Sequence, residues 1–374
     1  MVYLDHAATT PMRQSAIDAW LEHTGEVNPG SQYASGRRAN AVLAAAREQV
    51  AELLGADPVE VVFTGSGTEA DNIGVRGLYA ASTSKRVVAS EIEHPAVLGS
   101  VAALSAQGAE VEWLRAGRDG HVRDLSALDT PAAVAALMWA NNETGAIQPV
   151  TEAVGRAVAA GTPVHVDAVQ VVGNLPVDFH ALGAATLAAS AHKFGGPRGA
   201  GILLARRAPA PHPVIVGGGQ ERGLRSGTVD VASAAATAAA LAEAVRDMER
   251  TNTRIRQLRD ELVAGVLATV PGAQLTTAEP ALGGHAHFMF PGADADSMIM
   301  LLDAQGVEAS AGSACSAGVV RLSHVLEAMG VSREEGMGAL RITLGRTTEP
   351  ADVERLLAVL PAVVERARAA GALR

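Results

Sequence analysis

The chain has 374 residues, 48% of them hydrophobic, and a formal net charge of -10. That size and apolar content suffice for a large α/β unit plus a smaller one and exclude wholesale disorder, while the acidic balance argues against nucleic acid or an anionic membrane as the main partner. One cysteine permits no internal disulfide, the opening MVYLDHAATTP lacks the basic-then-apolar order of a signal peptide, and no apolar run is long enough to span a bilayer; a soluble cytoplasmic protein is expected.

In chain order, ANAVLAAAREQVAELLG has apolar residues at helical spacing and a closing Gly55. VEVVFT then reads as a strand, and GSGTEADNIGVRGLYAAS as a glycine turn that opens a helix. Further strands are expected at RVVASE, EVEWLR, AVAALMWA, PVHVDA and GILLA, with helical stretches between several of them. Alternation of this kind implies a largely parallel central sheet covered by helices, with chemistry at the carboxyl ends of the strands. A long arginine-bearing helix at 234–267 leads into a smaller α+β unit containing HAHFMF, ADSMIMLLDAQG, ALRITLG and a closing helix from 350. The expected division is a large unit over 14–255 and a smaller one made of 1–13 and 256–374.

Only Lys85 and Lys193 are lysines among 30 basic residues, and Lys193 sits in SAHKFGGPRGAG between two apolar runs. A strand-end lysine that is partly desolvated has a lowered pKa and serves as a Schiff-base amine; taken alone, it reads more readily as a lysine snorkelling from a strand end, and its neighbours change that balance. Upstream, HVDAVQ ends a strand with Asp167, followed by Gln170. A carboxylate there pairs with the protonated pyridine nitrogen of pyridoxal phosphate, although Asp also serves as a turn or cap residue. Gly65, Gly67 and Thr68 in FTGSGTEADN supply a phosphate-binding turn at a helix N-terminus. The same stretch, with Ala70 and Glu91, imitates a dinucleotide-binding fingerprint; Asp167, Gln170 and Lys193 have no part in that chemistry and favour pyridoxal phosphate.

His94 in EIEHPAV can stack on a cofactor ring or be a solvated loop residue, and Asn142 in NNETG can bind the ring substituent or substrate or simply form a turn. Cys315, in ASAGSACSAGVV, is surrounded by small residues rather than by the large apolar neighbours of a buried structural cysteine, which points to a reactive thiol. Arg341 in GALRITLGRTT can clamp a substrate carboxylate or form a structural ion pair.

Together YLDHAATTP, GTEADN, EHPAV, NNETG, HVDAVQ, SAHKFGGPRGAG, GGGQERGLRSGT, GSACSAG and LRITLGRTT resemble, in order, the motifs of NifS/IscS-type cysteine desulfurases, in the class V aminotransferase group with the type I pyridoxal-phosphate fold. The resemblance runs from Tyr3 to about residue 350. It implies Lys193 as the cofactor lysine, Asp167 at the pyridine nitrogen and His94 stacked on the ring. Gly67, Thr68, Ser190 and His192 would hold the phosphate, with Thr228 from the second subunit of a homodimer. Asn142 and Gln170 would contact the ring region, Arg341 the substrate carboxylate, and Cys315 would accept sulfur as a persulfide. In the family that sulfur goes to an iron–sulfur scaffold or another thiolation acceptor. No resident metal is implied; Cys315 is where a scaffold cluster would make transient contact. Tyr33 stands where the family usually has histidine, and the proline common before SHVL is missing. Rivals are a selenocysteine lyase or aminotransferase of the same fold, and an idle scaffold that binds a sulfur carrier.

Overall fold

The computed structural model describes residues 1–311 and 322–371. In chain order its strands are β1 (Val2–Tyr3), β2 (Val61–Thr64), β3 (Arg86–Ser90), β4 (Glu110–Leu114), β5 (Val134–Ala136), β6 (Val164–Asp167), β7 (Thr186–Ser190), β8 (Gly201–Ala205), β9 (Gln274–Leu275), β10 (His285–Met289), β11 (Val307–Glu308) and β12 (Ala339–Thr343). The α-helices are α1 (Gln14–His23), α2 (Ala34–Leu54), α3 (Gly67–Ala80), α4 (Pro95–Ala106), α5 (Val150–Ala159), α6 (Phe179–Leu182), α7 (Val231–Thr269), α8 (Ala295–Asp303), α9 (His324–Ala328), α10 (Arg333–Gly336) and α11 (Pro350–Gly371).

The main sheet has the order β2-β8-β7-β6-β5-β3-β4. β8 is antiparallel to both its neighbours, β2 and β7, and the pairings from β7 through β4 are parallel. Six strands therefore point one way and deliver their carboxyl ends to one rim. The expectation of a largely parallel sheet holds, with β8 as the reversed strand. Strands β2, β5, β6, β7 and β8 are buried along their whole length, as near-continuous apolar runs under helices on both faces should be.

Local chemistry sets the boundaries. α2 stops at Gly55, whose φ of 63° is left-handed and whose N–H reaches the Ala51 carbonyl. The strand expected from residue 59 begins only at Val61, because Asp57 and Glu60 close a capping box around the turn Pro58–Glu60. Ser66 caps α3 by accepting from the Glu69 N–H at 3.1 Å.

Two apolar clusters account for most of the core. One joins the main sheet to α2, α5 and the first half of α7; the other packs the sheet β12-β10-β9 against the second half of α7, α8 and α11. α7 is thus a beam shared by both, its buried contacts passing from one cluster to the other between Ala244 and Ile255. The first residues tie the two together. β1 pairs with β11, Thr343 donates its N–H to the Leu4 carbonyl at 2.8 Å, and the Thr343 hydroxyl accepts from the Ala7 N–H. No helix among the described residues is long and apolar enough to cross a membrane.

Candidate active site

Five parallel strands each send a candidate residue to the same rim. Gly67 and Thr68 follow β2, His94 follows β3, Asn142 follows β5, Asp167 ends β6, and Ser190, His192 and Lys193 close β7. Together with Gln170, and with Arg341 from β12, all of them line one cavity of about 500 Å³. Thr228 is not brought there: it borders a separate hollow with Asn28, Arg47 and Gln220. Cys315 lies outside the described residues, in the segment 312–321 that follows Ala311.

Lys193 ends a short turn after β7, and its ammonium donates to the carbonyls of Ala7 at 2.5 Å and Ala8 at 2.9 Å. Burial lowers its pKa to about 8, helped by the Arg341 charge and opposed by Asp167 and Asp5. Across the cavity Asp167 accepts from the Val169 N–H at 2.9 Å. Burial raises its pKa to about 6, against that hydrogen bond and the Lys193 charge, so it remains ionised at neutral pH. His94 is the N-cap of α4, with Nδ1 accepting from the Ala96 N–H, which places its proton on Nε2. Burial, then Lys193 and His324, lower its pKa to about 4, leaving a neutral ring. His192, lowered to about 4 mainly by burial, is 3.1 Å from the Thr9 hydroxyl through Nδ1.

An anion site at the start of α3 needs bare backbone, and the packing demands it. A Cβ on Gly67 would stand 2.9 Å from Val169 Cγ2 and 3.0 Å from Ser190 Cβ. First-turn N–H groups have no helical acceptor and favour a phosphate. The cradle, the ionised carboxylate and the low-pKa lysine fit pyridoxal phosphate. Gln170 contributes differently from a simple ring contact, since its amide donates to the Ala7 carbonyl at 3.1 Å. Arg341 donates to the Asn142 carbonyl at 2.8 Å through Nη1 and to Asp5 Oδ1 at 2.7 Å through Nη2.

Three acidic residues of this region escape sequence reasoning. Asp5 and Asp71 line the same cavity as Lys193, and Glu93 is wholly buried beside it. Asp71 meets His165 Nε2 at 3.1 Å, and His165 Nδ1 meets the Thr186 hydroxyl at 2.9 Å. Burial raises the pKa of Asp71 and Glu93 well above the carboxylate range, with the Asp167 charge adding to both. Burial and the Asp167 charge thus disfavour ionisation of Asp71 and Glu93. The quoted stretches GTEADN and EIEHPAV contain Asp71 and Glu93, but nothing in their spacing marks them as buried. The dinucleotide reading of the glycine turn fails on topology. β2 and β3 are separated in the sheet by β8, β7, β6 and β5, so no adjacent parallel pair flanks α3. Glu91 instead lies 3.9 Å from Arg115.

Fold and site together are those of a lysine-centred enzyme of the type I pyridoxal-phosphate architecture. Residues 2–356 match the family described as aminotransferase class-V, and the chain belongs to that family. It is 47% identical to an IscS-like cysteine desulfurase of Mycobacterium tuberculosis, covering 100% of both chains. It is 37% identical to the cysteine desulfurase NifS of Azotobacter vinelandii, covering 98% of this chain and 93% of that one. Among solved structures, a NifS-like protein superposes with a TM-score of 0.91 at 33% identity, covering 98% of this chain and 99% of the other. A NifS-like protein of Rickettsia africae gives 0.88 at 27% identity with the same coverage.

Proposed function

We propose that this chain is a pyridoxal-phosphate-dependent cysteine desulfurase. It converts L-cysteine to L-alanine and leaves the sulfur on Cys315 as a persulfide for an iron–sulfur scaffold or another thiolation acceptor in the cytoplasm. The observation that carries the reading is one cavity in which a lysine of lowered pKa shares space with a buried ionised carboxylate and an arginine.

When bound, the cofactor supplies an electron sink that makes the substrate Cα proton acidic. Gly67, Thr68, Ser190 and His192 would hold its phosphate. The Asp167 carboxylate would hold the proton of its ring nitrogen. His94, neutral and desolvated, would contact the ring without placing a second cation beside Lys193. Arg341, with Asn142 beside it, takes the substrate carboxylate in its fork. Lys193 Nζ then moves the Cα proton, a task suited to an amine whose pKa of about 8 lies close to the working pH. The Cys315 thiolate takes the substrate sulfur, and no second cysteine competes with it.

The same reading makes 14–255 the cofactor-binding unit, with 1–13 and 256–374 carrying the cysteine loop. It also makes the protein a homodimer, in which Thr228 of each subunit completes the phosphate site of the other. That assignment accounts for the position of Thr228 outside its own Lys193 cavity. The deciding assay adds L-cysteine without reductant and measures alanine together with protein-bound persulfide. Equal amounts of the two support a desulfurase; amino transfer, or alanine without persulfide, sinks it.

A further inference from the structure

The arginine assigned to the substrate carboxylate already holds a carboxylate. Arg341 Nη2 is 2.7 Å from Asp5 Oδ1, and the two side chains are 5% and 21% exposed. Arg341 Nη1 is spent on the Asn142 carbonyl, and Nε is buried without a partner among the described residues. A guanidinium so far removed from water, with no anion beside it, would be an unpaired buried charge, which proteins avoid. Asp5 supplies that anion from within the cavity that also contains Lys193.

Asp5 is also built to let go. Its backbone is fixed, with the carbonyl accepting from the Tyr3 hydroxyl at 3.0 Å and a bridge to Thr343. Its carboxylate, in contrast, has Arg341 as its one hydrogen-bond partner among the described residues and is the more solvent-exposed member of the pair. A side-chain rotation toward water releases the fork with no change in the main chain. We propose that Asp5 is a built-in competitor for the substrate carboxylate, occupying Arg341 between turnovers and yielding it when an amino acid binds. Asp5 thereby sets substrate affinity and selects for ligands that bring a carboxylate of their own. An amine-thiol without one leaves the Asp5–Arg341 pair closed and gains nothing from the clamp.

The inference rests on Arg341 as the carboxylate clamp, and its test separates the two. Holoenzyme is assayed with L-cysteine against two inhibitors, propionate, which has only the carboxylate, and cysteamine, which lacks it. In Asp5→Asn and Asp5→Ala the propionate inhibition constant should fall about tenfold, the effect of removing one competitor from a desolvated ion pair. KM for L-cysteine should fall with it, while the cysteamine constant stays as in wild type. Propionate inhibition that is unchanged or weaker in both variants, with melting temperature preserved, overturns the competitor role, because Asp5 would then only align Arg341. Arg341→Lys provides the control. Loss of propionate inhibition there, without tightening at Asp5, removes this inference alone. Wild-type propionate inhibition in Arg341→Lys removes the clamp as well.

Discussion

Titrating the Lys193 amine in cofactor-free protein tests the electrostatics on which the proposed chemistry depends. Burial moves this amine from the ordinary 10.5 to about 8. At neutral pH a shift of that size multiplies the unprotonated fraction roughly 300-fold. Labelling with trinitrobenzenesulfonate, followed by peptide mapping to separate Lys193 from Lys85 and the N-terminus, should give a rate with its midpoint near pH 8 and a plateau more than about one pH unit higher. Two variants check the sign. Asp167 is ionised at that pH and raises the Lys193 value, so Asp167→Asn should move the midpoint down. Arg341 lowers it, so Arg341→Gln should move the midpoint up. A midpoint near 10.5, or two variants moving the same way, would refute the argument that desolvation and these neighbours set the reactivity of Lys193.

Other outcomes follow from the site. Cys315→Ser should keep bound cofactor and still take up L-cysteine, yet yield no persulfide and no stoichiometric alanine; wild-type alanine production without reductant would contradict the proposed acceptor. Gly67→Ala forces a methyl into contacts of 2.9 and 3.0 Å and should weaken cofactor retention in equilibrium dialysis by about tenfold, the lower end of an overpacking penalty, with the fold intact. Undiminished retention would show that the α3 turn does not cradle the phosphate. Sedimentation should give a dimer, and a fully active monomer would rule out the shared site at Thr228.

What was legible in the sequence was mostly chemistry at strand ends. Lys193 stood out because lysine is rare in this chain, and Asp167 because it closes the run HVD. Strand direction was less accessible. GILLA reads as a strand in either sense, so nothing local showed that β8 is reversed, or that it separates β2 from the parallel strands. The glycine turn taken alone therefore fits a dinucleotide fingerprint equally well, and in the sequence only Asp167, Gln170 and Lys193 weigh against it. Asp5 and Gln170 show the same limit at the level of side chains. Their partners are Arg341 and the Ala7 carbonyl, 336 and 163 positions away, and no periodic pattern reports a contact over such a span. Arg341 posed a choice between a substrate clamp and an ion pair. The structure shows the ion pair, and under the proposed competition with Asp5 the two roles alternate.

The joining of the first residues to β12 has a consequence for how the protein is made. Asp5 meets Arg341, and Ala7 meets Thr343, each across a separation of 336 positions. Closing so large a loop costs chain entropy that local contacts do not repay, so these pairings form late in folding. During synthesis the rim that carries Gly67, His94, Asp167 and Lys193 leaves the ribosome well before Arg341 does. The nascent chain therefore presents a lysine beside the Ala7 and Ala8 segment but without the arginine that lines the finished cavity. The Asp5–Arg341 pair and the Ala7–Thr343 hydrogen bond then belong to the finished chain alone.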